Sequence, residues 1–213
     1  NLGLCLERLQ QNSAAKKSLR KCLRIDSENA AALCGLGRIL EDDSEAIDAF
    51  NKALAIDSDR LTALLGLSLR LRKINLHGQA LAVARKAVSK WPGEISAELE
   101  LAQTLLGAAR NHEALRLYRK LVNSGLVSSA LWFDIAGCYA SLGKAPLADK
   151  WFQKALAQDP DNRSMRSGYL FMLAASCYRS KTATLRQLRG WERHPAIPIK
   201  PFTIASRRRR RKL

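Results

Sequence analysis

The chain has 213 residues, 47% of them hydrophobic, with 36 basic and 19 acidic side chains and a formal net charge of +17. That length suits one domain or a short repeat array, and that apolar fraction excludes wholesale disorder. The positive charge is local: residues 163–213 carry 14 of the basic residues and a single acid, Glu192, so the excess belongs to the C-terminal end.

From the N-terminus, Leu2, Gly3 and Leu6, then Ala15, Leu19 and Cys22, and finally Ser27, outline an imperfect helix-turn-helix unit. Opening on Asn1 rather than Met, the chain is expected to be cut at that end, and a lost targeting segment stays open. From Ser27 onward Leu33, Leu36, Gly37 and Leu40 mark the next first helix. Four stretches then align, EAIDAFNKALAIDS, QALAVARKAVSKWP, EALRLYRKLVNSGL and LADKWFQKALAQDP, whose first alanines, Ala46, Ala80, Ala114 and Ala148, recur at one constant interval. Phe50, Ala84, Tyr118 and Phe152 lie four residues further on, and Ala53, Ala87, Leu121 and Ala155 three beyond those, so each set shares one helical face. An earlier helix of each unit places a large, a small and a large residue against it: Leu67, Ser68 and Leu71; Leu101, Ala102 and Leu105; Ile135, Ala136 and Tyr139, with Trp132 before and the turn residue Gly143 after the last set. Trp91, Trp132 and Trp151 read as core by the same spacing.

This pattern resembles the tetratricopeptide repeat. Pro92 and Pro160 stand at the family's closing proline, which Ser58 and Leu126 replace elsewhere. The resemblance implies an all-α fold, a right-handed superhelical solenoid of paired helices stacked on their neighbours. Five units are expected, at about 1–29, 30–60, 61–94, 95–128 and 129–162, with a partial capping unit and basic helix over 163–194 and a proline-marked linker with an arginine-rich end over 195–213. In the second unit Ala46 comes three positions early, the deletion falling between Leu40 and Ala46, which predicts a shortened first helix or a tightened turn.

In this family the first helices line a concave groove. By that resemblance Arg38, Glu41, Leu65, Leu69, Arg72, Leu99, Gln103, Phe133 and Gly137 face a protein or peptide segment; the leucines among them equally suit packing between neighbouring helices. The lysine, asparagine and arginine clamp with which some of these proteins hold a terminal carboxylate is absent, because Cys34, Leu65, Leu99 and Phe133, then Arg38, Leu69, Gln103 and Gly137, occupy its positions.

Beyond Asp161, RSMRSGYLFMLAAS begins a sixth unit whose Tyr169, Leu170, Phe171 and Leu173 require cover from the next helix, a second chain or a further domain. A basic helix is expected from about Lys181, ending before Pro195, and Pro195, Pro198 and Pro201 impose an extended path. The stretches SGYLFMLAAS and LRQLRGWERH and the final RRRKL resemble the junction between repeats and catalytic region in O-linked N-acetylglucosamine transferases and SPINDLY-like proteins, which implies a substrate-recognition arm. Gly35, Gly66, Glu100 and Asp134 stand where the eukaryotic transferase has an asparagine ladder, and these 213 residues include no catalytic domain, whether or not one follows Leu213. Arg207, Arg208, Arg209, Arg210, Arg211 and Lys212 then read as a lead-in to a missing strand, a tail for nucleic acid or an anionic surface, a nuclear address, or a charge run without a ligand.

No catalytic motif, cofactor loop or zinc spacing appears. His77, His112 and His194 stand apart from any nucleophile, and His77 and His112 suit capping or surface positions. The acids Glu41, Asp42, Asp43 and Glu45 suit helix capping and solvation better than a cation site. Cys5, Cys22, Cys34, Cys138 and Cys177 read as small hydrophobes of a reducing compartment, so Asn162-Arg163-Ser164 is a sequon without consequence. No apolar run approaches the ~20 residues of a membrane span. The expectation is a non-enzymatic, cytoplasmic scaffold, with a nuclear location left open for a eukaryotic cell, without metal or cofactor and of open oligomeric state.

Overall fold

The computed structural model of the chain describes residues 2–176, and the side-chain surroundings of residues 11–173. Among the described residues ten α-helices follow one another: α1 (Leu2–Ile25), α2 (Ala30–Ile39), α3 (Asp43–Ile56), α4 (Leu61–Lys73), α5 (His77–Lys90), α6 (Ile95–Gly107), α7 (Asn111–Asn123), α8 (Ser129–Ser141), α9 (Ala145–Gln158) and α10 (Arg163–Ser176). Among the described residues there is no strand, and no helix is long and apolar enough to cross a membrane. The expected basic helix from Lys181, Cys177, Trp191, His194, the prolines at 195, 198 and 201 and the run Arg207 to Lys212 lie outside the described residues.

The chain divides into two compact units, residues 1–127 and 128–213. In the first, each helix packs on the next, and the first helices of successive hairpins also touch, α2 on α4 and α4 on α6. In the second, α8 packs on α9, and α10 on both. The aligned small residues are what permit this approach. Ala46, Ala53, Ala80, Ala84, Ala87, Ala114, Ala148 and Ala155 have no exposed surface, and Phe50, Tyr118, Leu121 and Phe152 are buried beside them. Phe50 fills the space between α2 and α4, where a methyl group on Gly66 would fall 2.2 Å from its Cζ. Side-chain caps fix several starts: Asn29 Oδ1 accepts from Ala32 N at 2.9 Å, Asp42 Oδ1 from Glu45 N at 2.8 Å and Ser128 Oγ from Leu131 N at 3.1 Å.

The second unit of the repeat shows the expected shortening, since α2 has 10 residues where α4, α6 and α8 have 13 each. Its end also differs. The turns after α4, α6 and α8 pass through a left-handed residue, Asn75, Ala109 or Gly143, whereas α2 stops at Leu40 in extended conformation. The carbonyls left over at that end are taken by Arg70 of α4, whose Nη2 donates to Gly37 O at 3.1 Å, Arg38 O at 3.1 Å and Leu40 O at 2.9 Å.

Three expectations are corrected. The first unit is not a hairpin: α1 runs unbroken from Leu2 to Ile25, because ERLQQNSAAKKS offers neither glycine nor proline to stop it. Trp91 is not core but 44% exposed, standing past the last turn of α5 with its Nε1 donating to Asp59 O at 2.9 Å. Trp132 and Trp151 are half-buried at the edge of the second unit, with the Lys154 ammonium 4.2 Å and 5.1 Å from their ring centres. Lastly, Tyr169 and Leu173 need no outside cover, because α10 lays them on α9 and leaves only Phe171, at 77%, exposed.

Candidate functional site

In the first unit the predicted face spans three helices. Arg38 and Glu41 are exposed at the end of α2, Leu69 is exposed and Leu65 half-buried on α4, and Leu99 and Gln103 are half-buried on α6. Arg72, at the end of α4, is drawn toward Gln103: its Nη2 lies 3.4 Å from Gln103 Oε1 and 3.4 Å from Glu100 Oε2. Glu100 itself is buried, and its Oε1 accepts from Ser68 Oγ at 3.0 Å and Thr104 Oγ1 at 3.2 Å. A carboxylate buried between α4 and α6 requires such partners, and its charge in turn fixes the guanidinium of Arg72 at the margin of the face. Held polar groups thus stand beside one exposed leucine, Leu69, and two half-buried ones, Leu65 and Leu99.

The acidic turn also serves the fold. Asp42 caps α3, while Asp43 Oδ1 receives Lys73 Nζ at 3.0 Å and Arg70 Nη1 at 2.8 Å, and these two hydrogen bonds, first that of Lys73 and then that of Arg70, hold its carboxyl below the usual carboxylate range. Asp59 is lowered in the same way, chiefly by Lys90. Arg70 was invisible as a bridging residue in the sequence, because its counterparts in the next two units, Thr104 and Cys138, are buried and uncharged. Only the short unit length pointed to an unusual join there.

In the second unit Phe133 and Gly137 of α8 come together with Phe171 and Met172 of α10 over Phe152 of α9, lining a cavity of about 540 Å³. The aromatic rings support one another: Phe133 meets Phe152 edge-on at 5.2 Å, and Phe152 lies 5.4 Å from Tyr169. Behind them Tyr169 Oη donates to the buried carboxylate of Asp149, which also accepts from Gln153 Nε2 at 3.0 Å. The cavity is open because Gly137 leaves it clear, no atom lying within 4 Å of where a methyl group would stand. Phe171 and Met172 were missed as cavity residues, since the sequence showed Phe171 only as part of an uncovered face and did not single out Met172.

The lone polar groups have structural settings. His77 is half-buried at the start of α5 and His112 is exposed, with Leu76 and Arg110 in the capping positions. Cys34 and Cys138 are buried, and burial, then the nearby Asp134 charge, pushes the Cys138 thiol up to about 12. Among the described residues no three His, Cys, Asp or Glu side chains gather as metal ligands do.

The stacked hairpins have the geometry of tetratricopeptide repeats, and a tetratricopeptide repeat model matches residues 99–163; another matches residues 1–29, over which the structure has α1 in place of a hairpin. The chain carries tetratricopeptide repeats. Solved structures share the fold at low identity. A tetratricopeptide repeat protein from Parabacteroides merdae superposes with a TM-score of 0.69 at 15% identity, over 88% of this chain and 76% of that one. A thermophilic repeat protein of Thermus thermophilus gives 0.63 at 21%, over 81% and 96%. YrrB, described as having an unusual peptide-binding site, gives 0.59 at 19%, over 83% and 92%. No curated protein matches the sequence.

Proposed function

We propose that the chain is an interaction scaffold whose first helices bind a segment of a partner protein through apolar side chains. The observation that carries this reading is the cavity of about 540 Å³ bounded by Phe133, Gly137, Phe152, Phe171 and Met172. An unfilled apolar recess of that size accepts one or two large side chains, the usual anchoring device of a peptide groove. On the first unit, Leu65, Leu69 and Leu99 with Arg72 and Gln103 supply a comparable mixed surface. The description of YrrB as peptide-binding supports the same class of activity on the same fold.

Selection of random peptides on the purified chain tests it. Enriched sequences are expected to carry a bulky apolar anchor, and Gly137→Leu, which fills the recess from an open position, is expected to reduce their affinity tenfold or more. Enriched peptides that bind both Gly137→Leu and Leu69→Glu as tightly as the original chain would overturn the reading.

A further inference from the structure

A second surface lies on the other side of α6. Leu101 and Leu105 stand two positions from Leu99 and Gln103, roughly 200° around the helix, so they point away from the face just described. There α5 and α7 each pack on α6 but not on one another. The opening between them has a volume of about 300 Å³ and is lined by Leu101, Leu105 and Leu117 with Arg85, Glu113 and Arg116.

Its charges are unequal in kind. Glu113 is already engaged, its Oε1 2.6 Å from Arg110 Nε. Arg85 and Arg116 are exposed, and among the described residues neither has a hydrogen bond or an ion pair. Most other arginines of this unit's hairpins behave differently: Arg60 pairs with Asp57, Arg70 with Asp43, Arg72 with Glu100 and Arg110 with Glu113. Two guanidinia therefore stand un-neutralised beside a leucine floor. Each presents a fork of donors that matches a carboxylate, over a recess that takes an aliphatic side chain.

We infer that this groove between α5 and α7 is a second docking site, for an acidic protein segment that seats an aliphatic side chain on Leu101, Leu105 and Leu117 and sets carboxylates against Arg85 and Arg116. It is independent of the face formed by the first helices, and either site stands if the other fails.

The test uses the full chain and a fluorescein-labelled peptide, acetyl-Glu-Glu-Asp-Leu-Leu-Glu-Asp-Glu-amide, followed by anisotropy at 0.15 M salt, a condition that screens exposed charges beyond ~8 Å. Saturable binding is expected, weakened roughly tenfold or more by the double variant Arg85→Glu, Arg116→Glu. Leu69→Glu, on the opposite side of the stack, is expected to leave it unchanged. A copy of the peptide with benzoylphenylalanine in place of one leucine is expected to cross-link to α5, α6 or α7. Cross-links confined to residues 207–212, equal affinity in the charge-reversed chain, or no saturable binding would each overturn the inference. Both arginines are exposed, so the double variant is expected to keep the helical circular dichroism and melting of the original chain.

Discussion

The guanidinium of Arg70 carries two tasks that neighbouring units divide differently. Three residues fewer between Leu40 and Ala46 remove a turn of helix and the left-handed residue that elsewhere closes the hairpin, which strands the last carbonyls of α2. Arg70 accepts that load with one nitrogen and ties Asp43, in the first turn of α3, with the other, at 2.8 Å. Hydrogen bonds from a charged donor contribute more than neutral ones, so Arg70→Met is expected to lower unfolding free energy by roughly 2–3 kcal/mol, read from urea midpoints. Arg70→Lys recovers only part, since a point charge cannot span both sets of acceptors. The same contacts give a pH signature. Asp43 has its carboxyl lowered, first by Lys73 and then by Arg70, so its contribution is complete above the ordinary carboxylate value of about 3.9 and is lost as pH falls through its lower folded value. Asp43→Asn should accordingly flatten the decline of the urea midpoint on acidification below about pH 4.

Among the elements, the hairpin turns show what a repeat period specifies and what it leaves free. Asn75, Ala109 and Gly143 are separated by the same interval as the buried alanines, and all three have positive φ, at 64°, 58° and 69°. Backbone geometry thus recurs where residue type does not. The matching hydrogen bonds recur too, Leu76 N to Leu71 O at 2.9 Å, Arg110 N to Leu105 O at 2.8 Å and Lys144 N to Tyr139 O at 2.9 Å. Glycine takes this conformation without steric penalty, asparagine tolerates it, and for alanine it costs about 1 kcal/mol or more. Some of that is offset because glycine loses more chain entropy on folding. Ala109→Gly is therefore expected to stabilise the chain by about 0.5–1 kcal/mol in chemical denaturation, and Gly143→Ala to destabilise it by a similar amount; a loss of stability in Ala109→Gly would contradict the reading of its backbone. The helices themselves were legible, because burial of Ala46, Ala80, Ala114 and Ala148 follows from a periodicity that needs no coordinates. The unbroken α1 was not, since its pattern of apolar residues fits either one helix or two, and only the missing turn residue decides. Trp91 misled for a related reason: position in the period placed it near the core, but the end of α5 turns its ring outward over Asp59.

For the molecule as a whole, composition located the charge but not its use. The units up to residue 162 are close to balanced, and there the sequence cannot tell a bridging arginine from an unpaired one, because Arg72 and Glu100 meet across 28 positions while Arg85 has no hydrogen-bond or ion-pair partner among the described residues. Likewise the cavity around Phe133 depends on Phe171 and Met172, whose approach to α8 is a matter of packing rather than of spacing. The 14 basic residues after position 162 are a separate quantity, and a polyanion measures it directly. Each lysine or arginine that neutralises a phosphate releases a counterion and adds about 0.9 to the slope of log affinity against log salt concentration. Removing residues 207–212 takes away six such groups. The slope for duplex DNA is expected to fall by up to about 5 in the shortened chain, measured by anisotropy from about 50 to 200 mM salt, whereas the Arg85→Glu, Arg116→Glu chain keeps nearly the original slope. An equal slope in the chain lacking residues 207–212 would show that the arginine run neutralises no phosphates and that any such contact belongs to the rest of the chain.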